Sequence, residues 1–146
     1  MFGKLFGNRA KEAVNKFSGS TDFLEGLCAA CALVAAADGE IDDKEFDMTL
    51  RVIQGNTAIA AGFNNSQIEQ AFSRMQKNTG TRSGKSLLKN EIREVLDRDK
   101  TGQMGLAIAL AALDVADSGG ISESETVVLK DICQLTGQNF DKLIAG

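Results

Sequence analysis

The sequence predicts an all-α, single-domain helical bundle of about seven to eight helices with an internal pseudo-twofold repeat. Three observations carry that expectation. The chain has 18 Ala and 14 Leu, no Pro, and an aromatic complement of eight Phe without Tyr or Trp. Small and unbranched aliphatic side chains lose little freedom in helices and permit close helix packing. Apolar residues recur at three- and four-residue intervals, and no stretch alternates apolar and polar residues as a half-buried strand requires. Finally, 146 residues suit one domain with one continuous core.

The first 17 residues stand apart. Phe2, Phe6, Ala10, Ala13 and Phe17 fall at helical spacing beside Lys4, Arg9, Lys11 and Lys16, with Glu12 the lone acid, a balance of +3. We read 1–17 as a basic amphipathic N-terminal segment and 18–146 as the helical domain. Phe2, Lys4, Phe6, Arg9, Lys11 and Lys16 are candidates for contact with an anionic membrane surface or a partner. The alternative has the Phe side chains dock onto the domain while the cations face water. Charge interrupts the apolar residues, so the segment does not read as a signal peptide.

Residues 23–37, FLEGLCAACALVAAA, and 103–116, QMGLAIALAALDVA, are apolar almost all round. Helices of that kind are central and buried. Amphipathic helices are expected around them at about 42–54, 66–77, 86–97 and 122–136, with a short piece near 139–144. Asp42-x-x-Glu45, Ser66-x-x-Glu69 and Ser122-x-x-Glu125 match the capping box, in which two side chains satisfy orphan amides at a helix start. Gly55 and Gly137 suit helix ends, and 77–86, KNTGTRSGKS, reads as a polar loop.

The chain also echoes itself at an offset of 80 residues. Ala32-Leu33 falls on Ala112-Leu113, Ala36 on Ala116, Gly39-x-Ile41 on Gly119-x-Ile121, Asp42 on Ser122 and Glu45 on Glu125. Each unit is a buried helix, a tight Gly turn, an Ile and a newly capped helix. Chance likeness between Ala-rich helices explains the helices better than it explains the aligned turns.

Absences narrow the chemistry. With no His there is no Ser-His or Cys-His nucleophile pair and no His-ligated zinc, so a non-enzyme is expected. A net charge of −4 does not favour nucleic acid. Three Cys is an odd count for a disulfide framework and points to a reducing, cytoplasmic setting. The longest apolar run, 28–37, is too short to span a bilayer.

The densest chemistry lies at the first turn. Asp38, Glu40, Asp42, Asp43 and Glu45 put five carboxylates into eight residues. Their mutual repulsion would be relieved by a divalent cation, and oxygen ligands suit calcium, magnesium or manganese. The spacing is not that of an EF-hand, because Gly is missing from the sixth position and Thr49 stands at the twelfth. Capping without metal accounts for the same residues: Gly39 reverses the chain, while Asp42 and Glu45 stabilise the positive end of the next helix. Asp114, Asp117, Glu123 and Glu125 form a weaker acidic group at the second turn.

These motifs also carry a resemblance. AAADGEIDDKE after an Ala-rich helix, echoed by VADSGGISESE, resembles the TerB family of tellurite-resistance proteins over essentially the whole chain. The resemblance implies an all-helical fold, acidic turns proposed to bind metal, and a non-enzymatic binding or scaffold role in tellurite and other stress resistance. It further implies membrane-linked complexes with other Ter-type proteins. The family element is complete in Asp38, Gly39, Ile41, Asp42 and Glu45. At the second turn Ser118 and Ser122 replace acids, and Glu125 remains as the motif carboxylate.

Three further motifs have plainer readings. Cys28-Ala-Ala-Cys31 has the spacing of a redox pair, and thiolates suit tellurite chemistry; both residues, however, sit inside an apolar helix, as packing residues do. In the loop before Gly84-Lys85-Ser86, Thr79 stands where a Walker motif needs Gly. Asp97 to Gly102 begins like a calcium loop but has Ile108 at its twelfth position, so a helix-to-helix turn with Thr101 near the N-cap is expected.

Overall fold

A computed structural model of the chain describes residues 21–146, except Lys100 and Gly119. Eight α-helices and one 3-10 helix make up the fold among these residues: α1 (Thr21–Ala35), α2 (Asp43–Gly55), α3 (Thr57–Gly62), α4 (Asn65–Gln76), the 3-10 helix (Lys77–Gly80), α5 (Arg82–Arg98), α6 (Gln103–Asp117), α7 (Glu123–Thr136) and α8 (Phe140–Ala145). No strand occurs among them. The basic segment 1–17, with Phe2, Lys4, Phe6, Arg9, Lys11 and Lys16, lies outside the described residues.

α1 is the axis of the bundle. From Phe23 to Val34 every residue but Glu25 is buried, and the helix packs on α4, α5, α6 and α7. Such a helix has no solvent face, which is why its sequence is apolar around the full turn. The approach to α5 is close at Gly26, where a β-carbon would stand 2.6 Å from a Val95 methyl. From Met104 to Ala116 α6 is buried in the same way at every residue but Leu106 and Asp114. At the rim, Glu25 pairs with Arg74 at 3.7 Å and Asp22 pairs with Arg98.

Two local expectations shift. α4 begins under Asn64 rather than Ser66, because Asn64 and Gln67 form the reciprocal cap, at 2.8 and 2.9 Å. Asn caps as well as Ser, and the box two residues upstream extends the helix. The stretch read as a polar loop is mostly helical: after the 3-10 helix, Thr81 caps α5 by accepting from the Gly84 amide at 2.9 Å. Gly84 is required there, since a β-carbon would meet the Asn78 carbonyl at 2.1 Å. The short helix α3, opened by Asn56 through the Ile59 amide, has no counterpart in the sequence reading.

Candidate functional site

The two Gly turns lie against one another. Gly39 at φ 139° and Gly120 at φ 82° reverse the chain between a buried helix and a capped one, in backbone that side chains disfavour. The caps that follow share their backbone angles and first bond, but only the second closes as a capping box; the expected Asp42–Glu45 box lacks its return bond. Asp42 (φ −80°, ψ 173°) accepts from the Glu45 amide at 2.8 Å. Ser122 (φ −79°, ψ 168°) accepts from the Glu125 amide at 3.1 Å, and Glu125 Oε1 accepts from the Ser122 amide at 2.9 Å, completing a capping box.

The bridge between the turns is a side-chain hydrogen bond spanning 84 residues. Ser122 Oγ lies 3.0 and 3.2 Å from the two carboxylate oxygens of Asp38, to which it donates. A hydroxyl can accept from an amide and donate to a carboxylate at once. Asp38 and Glu45 thus face Ser122 and Glu125 across an open cleft of about 310 Å³, completed by residues that include Met48, Thr49 and Ser118.

The candidate acids divide accordingly. Asp38, Glu45 and Glu125 line this cleft. Glu40, Asp42 and Asp43 are exposed on the turn but do not line it, and Asp42 accepts its cap bond through Oδ1. Asp117 and Glu123 are exposed and likewise outside it. Asp114 is hydrogen-bonded to the Asn56 side chain; partial burial pushes its pKa up, Asn56 pulls it down and Asp117 pushes it up further. Among the described residues, no three Asp, Glu or Cys side chains are gathered as they stand to hold a metal ion. The cleft's donors are carboxylate and hydroxyl oxygens, the ligand type that hard cations prefer.

Ser122 is the residue the sequence reading undervalued. By sequence the departure from an acid reads as a weakened motif, whereas in the fold the hydroxyl is the partner of Asp38. The signal was the 80-residue register, which placed a neutral donor at one cap and a carboxylate at the other.

The remaining motifs have structural roles. Cys28 and Cys31 are fully buried, and burial pushes the Cys28 thiol up to about 12 and Cys31 well above its ordinary value. Neither offers a thiolate at neutral pH. In the 97–102 turn, Asp99 accepts from the Gly102 and Gly105 amides at 3.1 and 2.9 Å, and Gly102, with Thr101 beside it, starts α6. Both carboxylate oxygens are used by backbone, as a turn requires.

The family model described as "Tellurite resistance protein TerB" matches residues 24–145. The chain belongs to the TerB family. That match runs from within α1 to the end of α8 and includes both turns. Comparisons with curated proteins and with solved structures returned no match. Among the described residues of this TerB-family chain, no helix is long and apolar enough to cross a membrane.

Proposed function

We propose that this TerB-family chain is a non-enzymatic module of tellurite and stress resistance in which a hard divalent cation ties the two Gly turns together. Asp38, Glu45 and Glu125 would hold calcium, magnesium or manganese, with the Ser122 hydroxyl and water oxygens completing the shell. The observation that supports this reading is the Asp38–Ser122 hydrogen bond inside a cleft that Glu45 and Glu125 share. Binding would draw Glu125 from its capping bond toward the ion and fix the angle between the helix pairs α1–α2 and α6–α7, ordering a surface for a Ter-type partner. The same reading treats the two helix–turn–helix units as a pseudo-twofold pair, supported by their matching caps. It places the protein in the cytoplasm, with residues 1–17 as the contact to an anionic membrane face and no role for nucleic acid.

Calorimetric titration of the full chain with each ion tests the cation. We expect a saturable heat and a rise in Tm for at least one ion, lost in Asp38→Ala and kept in Asp42→Ser, which preserves a cap outside the cleft. At an ion concentration of 100 Kd the stabilisation should approach about 2.7 kcal/mol. No heat and an unchanged Tm for every ion would leave the second reading: a protein-interaction domain whose acids serve as caps. The cap bonds of Asp42 and Glu125 favour that alternative. Liposome flotation with and without residues 1–17 tests the membrane contact, which fails if the truncated chain floats equally.

A further inference from the structure

A second cleft, about 230 Å³, opens between the end of α1, the first half of α5 and the middle of α7. Its apolar wall is Leu33, Val128, Ile132 and Leu135, and its polar wall is Arg82, Lys85, Ser86 and Lys89 from α5 with Asp131 from α7. The α5 residues fall at i, i+3, i+4 and i+7, so they form one face of that helix. The apolar residues of α7 do the same at 128, 132 and 135. A basic face of α5 and a largely apolar face of α7, broken by Asp131, therefore look into one space.

The charge on this cleft is unbalanced. Lys89 pairs with Asp131 at 3.8 Å, while Arg82 and Lys85 make no ion pair among the described residues. Both sit in the opening turns of α5, which carry no acid. A helix start is already the positive end of the dipole, where cations are disfavoured. α2 and α7, by contrast, open with Asp43 and Glu45 and with Glu123 and Glu125. Two uncompensated cations at a helix start, in a chain of net charge −4, are complementary to an anion. The apolar wall is complementary to a hydrocarbon tail, and the volume falls below the roughly 300–1,000 Å³ of pockets for drug-sized ligands.

We propose that this cleft binds a free short-chain amphiphilic carboxylate. Its tail lies on Leu33, Val128 and Ile132, and its head group pairs with Arg82 and Lys85. This site stands apart from the cation reading and does not depend on it.

NMR titration of the full chain with octanoate, acetate and octanol, in the presence of a chelator, separates the contributions of head and tail. Octanoate should give saturable amide shifts confined to 33–37, 82–89 and 128–135, with acetate and octanol at least about tenfold weaker. The double variant Arg82→Gln/Lys85→Gln changes two exposed side chains. It should weaken octanoate at least about tenfold, or about 1.4 kcal/mol, and leave octanol unchanged. Val128→Asn, which adds no charge to the apolar wall, should weaken octanoate and octanol alike. Octanoate binding no tighter than octanol, unchanged in the double variant, or shifting amides elsewhere would overturn the proposal.

Discussion

The two Gly turns share backbone geometry and differ in chemistry. Asp42 and Ser122 cap their helices with dihedral angles that agree within a few degrees, yet one presents a carboxylate and the other a hydroxyl. A carboxylate can only accept, so Asp42 holds the Glu45 amide through Oδ1 but has no proton to offer an acid across the turns. A hydroxyl also donates, so Ser122 holds the Glu125 amide and still reaches Asp38. Two acidic caps would place carboxylate against carboxylate between the turns. One acidic and one neutral cap let the turns join.

The largest test of this asymmetry is Ser122→Ala, which removes a cap and the inter-turn bond together. It should cost about 2 kcal/mol in denaturant unfolding, more than a cap alone. If it costs no more than Asp42→Ala, the bond to Asp38 contributes nothing. Ser122→Asp sharpens the same point. The cap survives, but the new carboxylate faces Asp38, so about 1 kcal/mol should be lost in chelator and recovered on adding calcium, magnesium or manganese. An equal Tm with and without chelator would break the link between cap chemistry and cation. At the first turn, Asp42→Ala should cost about 1 kcal/mol and Asp42→Ser only a few tenths, because that cap has no second partner.

The sequence revealed the turns individually but not their contact. Hydrophobic periodicity located α1 and α6 because a helix buried on all sides must be apolar on all sides. Capping residues located the starts of α2 and α7, whose amides need local partners. The Asp38–Ser122 bond joins residues 84 positions apart, and no local pattern encodes such a distance. The same holds within the acidic groups: density at 38–45 singled out Asp38, Glu40, Asp42, Asp43 and Glu45 together, while only packing separates the two that line the cleft. Residues 77–86 misled for a different reason. Gly and Thr are common in loops, but Gly84 is there because Asn78 leaves no room for a β-carbon, and Thr81 because it caps.

Asp114 gives the smallest and finest test, since it belongs to the second turn by sequence and lies outside the cleft by structure. Partial burial and Asp117 raise its pKa above the ordinary 3.8, against the pull of Asn56. The folded chain therefore binds more protons than the unfolded chain between 3.8 and the raised value, and stability falls as pH rises through that window. Asp114→Asn removes this charge and keeps an amide to meet Asn56. It should flatten the acid-side pH dependence and stabilise the protein at pH 7 by a few tenths of a kcal/mol at most, the site being half exposed and screened. Cation affinity should not change in this variant, while Glu125→Gln should lower it about tenfold. An Asp114→Asn protein that loses cation binding would move the second-turn site up α6 and away from Ser122. Unchanged binding beside a shifted pH profile would confine it to the cleft between the caps.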